Sequence, residues 1–497
     1  MTYISAMPFA SLIAALALVY FVLRRKRRPT LPYPPGPKVA TMPTYDAWVE
    51  YRNWGREYGE LVYIQDRNIL ILNTSRAAID LLEKRARIYS DRRTTRMTKL
   101  CGGDINLAFV PYSDSWRRKR KLFQQTFRQS AINRFNGIQY NKVHEFLRGL
   151  IITPDKLMQH CMTLSQGIIF SALYGLDVDS EDPFAQEAVE FVEELLPTFV
   201  PGSFPIIEQF PWLRFMPSWL PGCGFKRIID QCLRQRENAI NIPFDMAVEN
   251  LKTGKGTSII AGLANKYEGN LAEIEIVKAM GTGSHLGATD TTVAAISSFI
   301  LTMILHPNAQ AKGQEEIDRV IGRDRLPTFD DRQSLPYVEA IYREVLRLHP
   351  PLPQGVEHTS IEDDFYHGYH IPKGCSVTPN IWAMNRDPDV YARPDDFLPE
   401  RFLDTPTGPF TNIGDIHAFG FGRRVCVGRY MADNAVWLSI ASVLATLNLT
   451  KPKDKEGNEI DISEEFSHCF ARYPKPYQCT ITPRAPYAEK LILATAS

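Results

Sequence analysis

The sequence predicts a mainly α-helical chain with a small β-rich part, and three observations carry that prediction. Apolar residues keep helical spacing over long stretches, the longest across residues 272–306 and stopped by Pro307. Residues 132–195 also read as largely helical. The β signals are few and short: runs at 60–65 and 69–73 between turn residues, then strand, turn, strand at 366–374, continued by 375–380.

The chain has 497 residues, enough for a large core. It is 44% hydrophobic and 23% charged with a net charge of +1, and nothing in that balance suggests nucleic acid as a partner. Eight cysteines lie scattered without CxxC spacing, which argues against a disulfide framework or a zinc site and fits a reducing compartment. Residues 1–23 are mostly apolar and carry no charged side chain, the length of a bilayer span. Arg24-Arg25-Lys26-Arg27-Arg28 follows directly. A cleaved signal peptide places its positive charge before the apolar run. The reversed order here predicts an uncleaved, single-pass N-terminal anchor, with everything after the basic cluster on the cytosolic side. Prolines at 29, 32, 34, 35 and 37 complete a basic and stiff hinge over residues 24–37, and residues 38–497 follow as the globular domain.

Residues 77–84 read as helix, and residues 97–112, with Gly102-Gly103 and no periodicity, as loop. Trp116 opens a basic helix and shares a face with Arg120 at i, i+4. Arg117, Arg118, Lys119 and Lys121 form a solvated basic face or a docking surface for an acidic partner. Residues 196–221 carry six prolines among aromatic residues and cannot form one helix. Within 272–306, Gly281, Gly283 and Gly287 each cost about 1 kcal/mol against alanine, which implies close backbone approach or a kink. Asp290-Thr291-Thr292 comes just after them. Glu344 and Arg347 share one helical face at i, i+3.

The pattern centres on Phe419-Gly420-Phe421-Gly422-Arg423-Arg424-Val425-Cys426-Val427-Gly428. Three glycines make a tight, irregular backbone around one thiol. The two preceding arginines and the helix that begins after it predict a lowered thiol pKa. Such a thiolate suits a nucleophile, a redox group or a metal ligand. A small cysteine buried in a turn would also fit these residues.

This stretch resembles the haem-binding signature of the cytochrome P450 family, F-G-x-G-x-R-x-C-x-G, at every fixed position. The likeness extends to the anchor and hinge, the Trp116–Arg120 pair, Asp290-Thr291-Thr292, Glu344-x-x-Arg347, Arg401 in Pro399-Glu400-Arg401-Phe402, and the cysteine loop, all in the family's order. It implies a mainly α fold with a small β-rich lobe, and haem b between the long central helix and the cysteine loop. Cys426 would be the iron ligand, and a thiolate ligand favours O–O cleavage. Phe419 would pack beside the sulfur. Trp116, Arg120, His358 and Arg424 would meet the haem propionates. Asp290 and Thr291 would be the acid–alcohol pair that relays protons to O2. Glu344, Arg347 and Arg401 would support the haem-binding core. Loop 97–112 would contact substrate, and 196–221 would form a lid whose aromatics dip into the membrane. The tail, residues 464–483, would return a hairpin to the pocket. Gly287-Ala288 inverts the family's small pair, and Val427 stands where relatives usually carry proline, which predicts an extra N–H at the sulfur.

The resemblance is greatest to fungal microsomal members of specialised metabolism. It implies a monooxygenase of the endoplasmic reticulum membrane acting on an apolar small molecule such as a terpenoid or polyketide. Electrons would come from NADPH through NADPH–cytochrome P450 reductase, with cytochrome b5 as an auxiliary donor. The alternatives are an O2-independent haem-thiolate isomerase or dehydratase, in which the acid–alcohol pair would be idle, and a non-catalytic haem-binding membrane protein.

Overall fold

The computed structural model describes residues 31–38, 41–43, 45–178, 181–199, 204–403, 416–468 and 470–495. The anchor expected over 1–23 and the basic cluster at 24–28 lie outside the described residues.

The central helix, Leu271–Leu305, is the axis of the structure. Asn270 caps it by accepting from Glu273 N at 3.3 Å, and Pro307 starts the next helix, Pro307–Val320. By length and composition the central helix could cross a membrane, yet 78% of its most apolar stretch is buried inside the protein. A helix that is apolar all round needs cover on every side. Leu157–Tyr174 and Arg429–Thr446 provide part of that cover. Phe170, Phe299 and Trp437, one from each of these three helices, belong to one continuous core.

A smaller core surrounds a four-stranded sheet of β1 (Leu61–Ile64), β2 (Ile69–Leu72), β3 (His358–Thr359) and β6 (Ser376–Pro379). The strand order is β1-β2-β6-β3. β4 (Asp364–Tyr366) and β5 (Tyr369–Ile371) form a separate hairpin, turned by His367 and Gly368, both at positive φ. Residues 375–380 therefore do not continue that hairpin. β6 leaves it and runs parallel to β2, with Leu70 opposite Val377. Every residue of β6 is buried, so the strand belongs between two neighbours rather than at a hairpin edge.

Loop 97–112 also contains more structure than its sequence suggests. Thr95 caps a short helix, Arg96–Leu100, by accepting from Thr98 N at 3.0 Å, and Gly102 ends it at φ 73°. The Pro-broken segment starts later than expected, because Pro183–Phe199 carries Pro197 in its final turn, where few backbone bonds remain to be lost. Short helical turns at Pro205–Gln209 and Pro211–Phe215 follow. The tail pairs β7 (Leu447–Thr450) with β8 (Thr480–Pro483) and brings Phe470 to the central cavity.

Candidate active site

Asp290, Thr291, Trp116, Arg120, His358, Phe419, Arg424 and Cys426 all line one cavity between the central helix and the cysteine loop. They come from segments up to 310 positions apart, so folding alone brings them together.

The loop's shape follows from its glycines. Gly420 and Gly422 take φ 74° and 54°. A methyl on Gly422 would lie 2.2 Å from Leu82 O, so only glycine fits there. Cys426 N donates to Phe419 O at 2.8 Å and closes the loop. The helix Arg429–Thr446 begins three residues beyond the thiol.

Cys426 is accessible from the cavity but set deep in the protein, and burial raises its pKa. The Gly428 N–H, Arg120 and Arg429 pull in the other direction without prevailing. This corrects the lowered pKa expected from Arg423 and Arg424. Arg423 points outward to the Tyr112 hydroxyl at 3.1 Å. Arg424 turns away to the carbonyls of Ser90, Leu107 and Val110 at 2.7, 3.2 and 2.9 Å. The backbone donor at the sulfur is Gly428 rather than Val427. A neutral thiol in this position ionises when a metal cation arrives, because the ion's own charge dominates the local field.

One edge of the cavity holds three buried guanidiniums, Arg92, Arg120 and Arg424. Arg92 donates to the carbonyls of Ala108, Val356 and Glu357 at 2.9, 2.8 and 2.6 Å. Arg120 donates to Val425 O at 2.6 Å, while its Nε has no partner among the described residues. Among the described residues none of the three sits within ion-pair distance of a carboxylate. Burial pushes Arg120 and Arg424 down to about 10, and burial followed by the Arg424 charge pushes Arg92 well below its ordinary value. Buried cations without counter-charges are costly. The donor set fits an anionic group, and the two carboxylates of a haem would answer it. His358 lies beside them with Nδ1 2.7 Å from Tyr89 O, and burial and Arg92 hold it neutral. The Trp116 indole donates to Leu107 O at 3.0 Å. No motif surrounds Arg92, and its sequence context gives no signal of this position.

The opposite wall is the central helix. The Thr291 hydroxyl donates to Gly287 O at 2.9 Å. Burial, and then the Glu193 charge, raises Asp290 from 3.8 to about 6. An acid so placed can both hold and release a proton near neutral pH. The cavity thus brings together a thiol, an acid with a raised pKa, an alcohol and three buried cations.

The family model for Cytochrome P450 matches residues 31–481. Cytochrome P450 monooxygenase COX1 of Coprinopsis cinerea is 37% identical, covering 95% of this chain and 96% of the relative. Cytochrome P450 monooxygenase claR of Ampulloclitocybe clavipes is 37% identical over 92% and 88%. Tryptamine 4-monooxygenase of Psilocybe cyanescens is 35% identical over 95% and 97%. The chain belongs to the cytochrome P450 family and is one of its monooxygenases.

Proposed function

We propose that the chain inserts one oxygen atom of O2 into an apolar small molecule of specialised metabolism, a terpenoid or polyketide skeleton among the candidates. The observation that carries this reading is that Cys426, Asp290 and Thr291 line one largely apolar cavity, together with three buried guanidiniums that meet no carboxylate among the described residues. Haem b, when bound, supplies the O2-activating chemistry. Cys426 would hold its iron, with Phe419 beside the sulfur. Arg92, Arg120 and Arg424, with Trp116 and His358, would hold its carboxylates. Asp290 would hold a proton below pH 6 and release it above, and Thr291 would pass it on from Oγ1. Leu195, Leu286 and Phe470 add apolar surface to the cavity lining, which disfavours water there.

Electrons would come from NADPH through a membrane-bound flavoprotein reductase, with cytochrome b5 as an auxiliary donor. Exposed Arg117, Arg118 and Lys121 support docking of an acidic partner on that face. We place the enzyme on the endoplasmic reticulum membrane through residues 1–23. Exposed Phe210, Trp212, Phe215 and Trp219 support a second contact with the bilayer interface.

Co-expression with a reductase and product profiling against terpene and polyketide panels tests the activity. The reduced, CO-treated enzyme should show the red-shifted Soret band of thiolate ligation, and Cys426→Ala should abolish it. A protein that binds no porphyrin would refute the reading.

A further inference from the structure

The stretch 106–110 forms a cavity wall whose backbone is fixed from behind. Leu107 O accepts from Trp116 and Arg424, Ala108 O from Arg92, and Val110 O from Arg424. The wall meets the central helix at Gly283, where a methyl would lie 3.9 Å from Ile105 O and 3.3 Å from the Phe123 ring.

Asn106 stands on this platform, lines the cavity and is 8% exposed. Its Oδ1 accepts from Ala108 N at 2.9 Å. A backbone N–H can only donate, so the amide atom facing it is the oxygen. Nδ2 therefore points the other way, and it has no partner among the described residues. Protein atoms do not seal it, so the donor is open to a guest. Phe109, Leu195 and Leu196 belong to the largely apolar lining of the same cavity.

We propose that Asn106 orients the substrate by donating from Nδ2 to an oxygen acceptor, a carbonyl, hydroxyl or ether, on a neutral and otherwise apolar molecule. The inference rests on the monooxygenase reading above and narrows its substrate class. An ammonium would meet a donor there instead of an acceptor. The haem carboxylates would take the buried guanidiniums of the same cavity, and one neutral donor does not offset the desolvation of a further carboxylate. A neutral oxygen loses little by leaving water and satisfies the free N–H. The molecule oxidised therefore already carries oxygen, placed away from the carbon presented to the Asp290–Thr291 wall, and an earlier oxygen-installing reaction must supply it. The bare hydrocarbon is the poorer ligand.

The test uses full-length holoenzyme and two ligands of one skeleton, the ketone nootkatone and the hydrocarbon valencene. Binding is read by the Soret spin-state shift and by calorimetry. The wild type should bind the ketone about tenfold more tightly. Asn106→Asp keeps the oxygen that accepts from Ala108 N but loses the donor, and Asn106→Leu loses both. Both variants should lose most of the preference and bind the hydrocarbon within about twofold of wild type. A wild type without preference for the ketone, including one that binds neither ligand, overturns the proposal, as does a preference that survives in both variants. Haem loss in both variants would make Asn106 a cofactor-retention residue and overturn it as well. Absence of the red-shifted CO band in the wild type would instead sink the haem-thiolate reading itself.

Discussion

Arg347 grips both carboxylate oxygens of Glu344, at 2.6 and 2.8 Å, with both side chains fully buried. Glu344 Oε1 also accepts from Arg401 Nε at 3.0 Å and from Leu398 N at 2.8 Å. The remaining Arg347 donors reach the carbonyls of Asn385, Pro394 and Asp396. A lone ion pair on a helix surface is worth a few tenths of a kcal/mol. This one is a fully buried network tying the helix Pro336–Leu348 to the chain ahead of the cysteine loop.

Glu344→Ala should therefore cost about 3–5 kcal/mol, because it strands a buried guanidinium. Arg347→Lys should also be severe, since a point charge cannot reproduce the two-pronged contact. Urea unfolding midpoints and haem content per protein measure both effects. A Glu344→Ala protein within about 1 kcal/mol of wild type would show that the network does not carry this part of the fold.

Asp290 predicts a pH dependence with a definite sign. Below pH 4 the carboxyl is protonated in both folded and unfolded chains. Between pH 4 and 6 the unfolded chain releases the proton while the native one retains it, so this group removes stability as pH rises. Asp290→Asn should gain on the order of 2 kcal/mol over wild type at pH 7.5, and the gain should shrink toward pH 5. Product formed per NADPH consumed should change near pH 6 in the wild type and lose that inflection in Asp290→Asn. Glu193→Gln removes the second cause of the shift and should move the inflection to lower pH. A profile unmoved by both variants would exclude Asp290 as the titrating group.

The glycines of the central helix separate two effects that the sequence could only name together. A methyl on Gly281 would lie 2.1 Å from the Tyr174 hydroxyl and 2.7 Å from its ring. The gain in helix propensity is about 1 kcal/mol, and overpacking costs about 1–3. Gly281→Ala should come out destabilising, by about 1 kcal/mol in thermal or urea unfolding. A methyl on Gly287 meets nothing within 4 Å. Gly287→Ala should leave stability unchanged or raised while altering ligand affinity, since its methyl enters the cavity beside Thr291. Equal losses in both variants would contradict the assignment of Gly281 to packing and Gly287 to cavity space.

What the sequence could convey follows from where each feature is encoded. The central helix is written in local periodicity, and the cysteine loop in glycines whose conformations no other residue takes. Both are readable because each depends on neighbours in the chain. The partner of β6 is not, because parallel pairing joins residues some 300 positions apart. The direction of the Cys426 shift is hidden for a related reason: nearby arginines are visible in sequence, but burial and where Arg424 turns are not. Arg92 and Asn106 carry no motif, and their positions emerge only when the stretch 106–110 folds over Arg92.

Arg120 offers a way to tell a cofactor-holding cation from a structural one. It makes a single carbonyl bond, to Val425 O, and leaves Nε unpaired. Burial already holds its pKa down to about 10, so the uncompensated charge is a burden to the protein without cofactor. Arg120→Leu should therefore leave the apoprotein as stable as wild type or more so. The holoenzyme should behave oppositely, losing haem to an acceptor globin at least tenfold faster, because one of the three cations proposed to hold the haem carboxylates is gone. Arg120→Lys should fall between, keeping the charge without the fork. If the side chain served the fold alone, Arg120→Leu would lower the unfolding midpoint of the apoprotein and leave the rate of haem loss untouched.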